Sequence, residues 1–237
     1  MTLKAENLSK RYMRKTGQAN YFYAVRGVSL ELRPGEVTVL MGRSGSGKTT
    51  LLHMLSGLLT PTEGRVMLGD TDLYALGDAA LSKLRNEKIA VVPQGRSAID
   101  SLTVLENVLL PGMMYTSGDI NEARRWLEAL DIAHLADARP AELSGGELRR
   151  MAIARALAQR PAALLADEPT GDLDDANTER VLSVLKEAAT GGMAVLIVSH
   201  DNEAARYADH LYRMDRGVVS DKSVFIPLSQ KTAEQIV

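Results

Sequence analysis

The segment Gly42-Arg43-Ser44-Gly45-Ser46-Gly47-Lys48-Thr49 joins a glycine-rich loop to a lysine and a hydroxyl, the residue types that hold a row of phosphates. It fits the P-loop pattern. An apolar run, Val37 to Met41, precedes it and a helix-like segment, Lys48 to Gly57, follows, which is the strand and helix context the motif requires. Glycines at 42, 45 and 47 let the backbone wrap closely and turn its N–H groups toward the β- and γ-phosphates, and the helix start adds positive potential. Lys48 brings a mobile charge to the terminal phosphates, and the Thr49 hydroxyl is the expected magnesium ligand. Thr50 offers a further contact to the α-phosphate. A glycine-rich turn without phosphate is the competing reading, and strand, Lys48 and Thr49 together disfavour it.

Two carboxylates, Asp167 and Glu168, end the apolar run Ala162 to Ala166, at the strand end where ligands of open parallel sheets bind. Their expected roles differ: Asp167 holds magnesium through its water shell, and Glu168 orients and polarises an attacking water as general base. An acid pair here could instead cap a helix, and Pro169 is compatible with that. Ser144-Gly145-Gly146-Glu147 opens a further helix, and a Ser followed three residues later by Glu is a capping box. Capping does not account for the double glycine, which weakens a helix and bares N–H groups at its positive end. Such an end suits a γ-phosphate. His200 follows the apolar run Ala194 to Ser199, unlike His53, His134 and His210, which read as structural or exposed. No histidine and acid spacing suggests a transition-metal site, and Met113 and Met114 read as packing residues.

The elements that must position these groups are visible as well. Continuous apolar runs at Val37 to Met41, Ile89 to Val92, Ala163 to Ala166 and Ala194 to Val198 read as parallel strands covered on both faces, the α/β arrangement. Ala24 to Arg33 alternates and ends at Pro34-Gly35, which reads as an antiparallel strand pair at the domain edge. Thr103 to Tyr115, Ile120 to Leu130 and Gly146 to Gln159 show helical spacing, punctuated by Pro111 and Pro140. The expectation is one α/β domain of mainly parallel sheet, with residues 1–95 and 161–219 forming the core and its antiparallel β subdomain. Residues 96–160 read as an inserted helical subdomain and 220–237 as a short tail.

Composition narrows the function classes. The chain has 237 residues, 28 basic and 30 acidic, with a net charge of -2, so no general nucleic-acid surface is expected. It lacks cysteine, which excludes a disulfide framework, a thiol nucleophile and Cys-based metal sites. The first fifteen residues lack the apolar core of a secretion signal, and the longest apolar runs fall far short of the ~20 residues that span a bilayer. A membrane role would come through a partner.

Taken in order, the motifs resemble those of the nucleotide-binding subunit of an ATP-binding cassette (ABC) transporter over nearly the whole chain, with the P-loop ABC ATPase fold that this implies. The resemblance implies ATP and Mg2+ as cofactors and a head-to-tail homodimer, or a pair with a homologous ATPase. In it the Ser144, Gly145, Gly146 and Glu147 segment closes over ATP held on the partner's Lys48 loop. By the same resemblance Gln94 touches magnesium and senses a transmembrane permease subunit, which docks near Gln94 and the helical subdomain. His200 is the switch histidine at the γ-phosphate, Asp174 after Leu173 lies in the loop that crosses the dimer seam, and Tyr12 faces the adenine, with Tyr21, Phe22 and Tyr23 close by. The protein would sit at the cytoplasmic face of the membrane through its permease. Ala166 to Asp174, the dozen residues between Tyr12 and Ala24, and the single-domain length resemble the subgroup of lipoprotein release, macrolide efflux and bacterial cell division. Two departures stand out: Glu147 replaces the commoner glutamine, and Gly95-Arg96-Ser97 follows Gln94 where an aromatic residue is frequent. An ATP-gated regulator of an extracytoplasmic enzyme is the alternative reading. A soluble cassette ATPase of DNA repair or translation is disfavoured, because no coiled-coil or zinc insertion and no second cassette is present.

Overall fold

A computed structural model describes residues 1–13, 21–114 and 118–223, with side chains described as far as residue 220. The chain runs through β1 (Leu3–Met13), β2 (Tyr21–Leu32), β3 (Val37–Met41), α1 (Lys48–Leu55), β4 (Glu63–Leu68), β5 (Thr71–Asp72), α2 (Asp78–Lys88) and β6 (Ile89–Val92). Then come α3 (Val104–Met113), α4 (Ile120–Ala129), α5 (Gly145–Leu157), β7 (Ala163–Asp167), α6 (Asp175–Thr190), β8 (Ala194–Ser199), α7 (Asn202–Ala205), β9 (His210–Asp215) and β10 (Val218–Ser223). Six strands form the main sheet in the order β10-β9-β3-β8-β7-β6, and four form a second sheet, β2-β1-β4-β5.

The continuous apolar runs have a direct cause. In β3, β7 and β8 alternate residues point to opposite faces, and both faces are dry. Val39, Leu164, Val195 and Ile197 join one core with α3 to α7, while Leu40, Leu165, Leu196 and Val198 join another with α1 and the second sheet. Strands β3 to β8, β8 to β7 and β7 to β6 pair in parallel, and β9 lies parallel to β3 on its other side. The loops after β3, β7 and β8 therefore emerge at one end.

Three expectations need correction. The edge element is a four-stranded antiparallel sheet and not a pair: β2 registers on β1 from Leu3↔Leu32 to Met13↔Tyr21, and β1 also pairs with β4. Its first strand carries no continuous apolar run, because charged Lys4 and Glu6 alternate with buried Leu3 and Ala5. Pro111, read as punctuation, is part of α3 itself, in the last turn, where the ring costs one intrahelical bond. The tail expected from residue 220 begins as strand, because β10 runs to Ser223; residues 224–237 lie outside the described residues, as does Tyr115, the expected end of the helical stretch. Leu196 is fully buried in the central strand β8, so Leu196→Ala is expected to lower stability by about 2–5 kcal/mol through a cavity, read as a lower urea midpoint.

Candidate active site

Strand β3 is buried along its whole length and delivers the Gly42 to Gly47 loop to the positive end of α1. Two glycines there are required by their surroundings. A β-carbon on Gly42 would run into the Met214 carbonyl, and one on Gly47 would run into the carbonyl of Ala24, where φ is already +108°. The loop is seated on β2 and on the β9–β10 turn, whose Gly217 N–H donates to the Ser46 carbonyl at 2.8 Å. Lys48 is buried with its ammonium folded onto the loop, donating to the Gly42 and Arg43 carbonyls at 2.7 and 3.2 Å. It is thus held across the concavity.

Across the sheet, Asp167 and Glu168 end β7 and are buried. The Thr49 hydroxyl donates to Asp167 Oδ2 at 2.7 Å. Glu168 adopts a left-handed backbone, φ +50°, with its N–H donating to the Val198 carbonyl at 2.8 Å. Its carboxylate lies 2.9 Å from His200 Nδ1 and accepts from the Ser199 hydroxyl at 3.4 Å. The pair is asymmetric in exposure: the Glu168 side chain is buried and that of His200 is open to the cleft.

These groups share one open cleft of about 850 Å³. It is lined by Ser44, Gly45, Gly47, Lys48, Thr49 and Thr50 of the loop and α1, and by Gln94, Asp167, Glu168 and His200. Tyr12 lines it too, so eleven of the expected site residues are brought together. Gly42, Arg43 and Ser46 belong to the loop but do not line the cleft; the Ser46 hydroxyl is buried without a hydrogen-bond partner. Ser144, Gly145, Gly146, Glu147 and Asp174 do not line it either. Phe22, Tyr23, Ala24, Arg216 and Gly217 also border the cleft. The cross-strand partner of Tyr12 is Phe22, and their rings stack with centroids 5.7 Å apart. Arg216 sits in a hairpin turn far from every motif, and only the contact of that turn with the loop reveals it.

The cleft suits a nucleotide with magnesium. The Thr49 hydroxyl and the Asp167 carboxylate converge, and Gln94 lines the same cleft, all three offering hard oxygen donors. Backbone N–H groups, a lysine and a helix start face the same space. At the other end of the chain's machinery, Ser144 caps α5 in a reciprocal box. The Ser144 N–H and hydroxyl both donate to Glu147 Oε2 at 2.7 Å, and the Glu147 N–H donates to the Ser144 hydroxyl oxygen at 3.3 Å. Asp174 caps α6, accepting from the Asn177 N–H at 2.8 Å.

The family model described as ABC transporter matches residues 25–171. The chain is 40% identical over 201 residues to the lipoprotein-releasing system ATP-binding protein LolD of Myxococcus xanthus, covering 83% of this chain and 90% of that relative. It is 40% identical over 220 residues to LolD of Pseudomonas syringae pv. tomato, covering 91% and 95%. The dimeric structure of MJ0796, a bacterial ABC transporter cassette, superposes with a TM-score of 0.87 at 35% identity, over 95% of this chain and all of that one. A post-hydrolysis dimer of the same cassette, bound to ADP and Pi, gives 0.86. The chain belongs to the ABC transporter family, as an ATP-binding, ATP-hydrolysing nucleotide-binding subunit.

The hydrogen bonds from Ser144 hold the Glu147 carboxyl below its ordinary value. A carboxylate depressed in the folded state adds stability above its unfolded pKa, and loses it as pH falls through the folded value. The stability gap between wild type and Glu147→Ala should therefore be full at neutral pH and shrink in acid. Urea midpoints of both proteins across that range measure it.

Proposed function

We propose that two copies of this chain close head-to-tail around two ATP and drive a separate membrane permease in an export or mechanotransmission system. The observation that carries the reading is the division of the motifs. The Lys48 loop, Gln94, Asp167, Glu168 and His200 converge in one cleft, while Ser144, Gly145, Gly146 and Glu147 lie outside it. A second chain would supply that missing wall, with Asp174 at the seam, and the dimeric form of the similar cassette supports this. The names of the relatives, ATP-binding proteins of a lipoprotein-releasing system, support the subgroup. Among the described residues no helix is long and apolar enough to cross a membrane. A permease would therefore hold the dimer at the cytoplasmic face, docking at Gln94 and the helical subdomain of residues 96–160.

Within each site, Lys48 leaves the Gly42 and Arg43 carbonyls for the terminal phosphates, and the loop N–H groups hold the phosphate chain. Thr49, Asp167 and Gln94 would hold magnesium, which when bound neutralises phosphate charge. Glu168 orients and deprotonates the attacking water, while His200 fixes the direction of its carboxylate and faces the γ-phosphate. Ser144 and Gly146 of the partner subunit grip that phosphate, so its loss releases the dimer.

Glu168→Gln should leave ATP binding intact and slow turnover by at least ~100-fold, the lower range for a general base; unchanged turnover in a phosphate-release assay would refute the role. Lys48→Ala should lose ATP affinity in equilibrium binding. In mixed dimers, chains defective at Ser144 should rescue chains defective at Lys48 at one site only, and full independence of the two lesions would refute shared sites.

A further inference from the structure

The stretch from Pro93 to Ala98 leaves β6 for α3 carrying Gln94, and among the described residues no backbone–backbone hydrogen bond outside the sheet ladder ties residues 93–98 down. It is held from the side by α5. Arg149 Nη1 donates to the Pro93 carbonyl at 2.7 Å, and Nη2 donates to the Gln94 carbonyl. Six residues further along α5, Arg155 donates to the Ser97 carbonyl at 2.7 Å and to its hydroxyl. Arg149 is the more telling of the two. Its planar fork takes the carbonyls of two successive residues, one from each terminal nitrogen. Burial pulls its guanidinium below the ordinary value, and the charges of Asp172, Asp167 and Glu168 pull it back up. It is thus a half-buried cation within electrostatic reach of the catalytic carboxylates, and none of the phosphate motifs includes it.

The same helix begins at Ser144. Under the dimer reading above, on which this inference rests, Gln94 faces the ATP of its own chain while Ser144 faces the ATP of the partner. We propose that Arg149 is a positioning residue that locks Gln94 to α5, so that occupancy of one chain's own nucleotide site sets the placement of the Ser144 segment it offers to the other. An unclamped Gln94 segment would have to be ordered on α5 during closure, at an entropic cost that the clamp removes in advance. ATP should then act cooperatively, with a Hill coefficient bounded by the two sites.

The test uses the full chain with Glu168→Gln, to hold ATP unhydrolysed, and adds either Arg149→Gln or Arg149→Lys. Sedimentation reads dimer formation against ATP concentration, and equilibrium binding of a fluorescent ATP analogue to dilute monomer reads the isolated site. Arg149→Gln should raise the ATP needed for half-dimerisation about tenfold, the loss expected for one or two carbonyl bonds. It should also flatten the Hill slope toward one, and leave monomer affinity unchanged. Arg149→Lys, which keeps the charge and one bond, should fall between that variant and its parent. The lysine variant carries the same test if the glutamine variant does not fold. Parental midpoint and slope in the variants would overturn the proposal, and so would an equal loss of monomer affinity, which marks a general structural role. A parent that stays monomeric in ATP would overturn the dimer reading itself, an outcome distinct from a variant losing what its parent retains.

Discussion

The hydrogen bond between the Thr49 hydroxyl and Asp167, 2.7 Å long and joining positions 118 apart, marks the constraint on which the site depends. Asp167 ends β7, whereas Thr49 lies in the first turn of α1, past the loop that follows β3, and β3 and β7 are not neighbours, because β8 lies between them. Parallel pairing of β8 with both aligns three strand ends within one plane, and the main chain then delivers the loop lysine, the two acids and His200 to one place. Remove β8 and the phosphate loop and the acids share no frame.

That frame also holds local backbone conformations that do not form readily alone. The left-handed turn at Glu168 costs about 1–3 kcal/mol for a residue with a side chain. It is held by the bond from its N–H to Val198 and by the contact of its carboxylate with His200. The glycine loop likewise depends on distant chain: the Met214 carbonyl presses on Gly42, Ala24 on Gly47, and the Gly217 N–H binds Ser46. The second sheet and the last hairpin thus form the underside of a phosphate cradle made elsewhere in the sequence.

Much of this was legible in the residues. The P-loop declares itself because a dense run of glycines, a lysine and a threonine do their work within eight consecutive positions. The strands β3, β6, β7 and β8 were readable because two dry faces leave no charged residue to interrupt them before the acid that ends β7. Strand β1 was not, since one wet face places Lys4 and Glu6 among its apolar residues, and short charged alternation resembles a loop. Arg149 and Arg216 were equally hidden. Nothing in an arginine's neighbours along the chain says that it will grip the Gln94 carbonyl or border a cleft.

The sequence by itself determined the chemistry, the class of fold and the order of its parts, because those reside in residue types at short spacing and in runs of apolar residues. Only the tertiary structure decided which groups meet: that Asp167 reaches Thr49, that His200 turns its ring to Glu168, and that Ser144 stays outside their cleft. The physical reason is separation along the chain. Contacts between residues more than a hundred positions apart follow from strand order and register, and these are settled by burying both faces of one sheet at once.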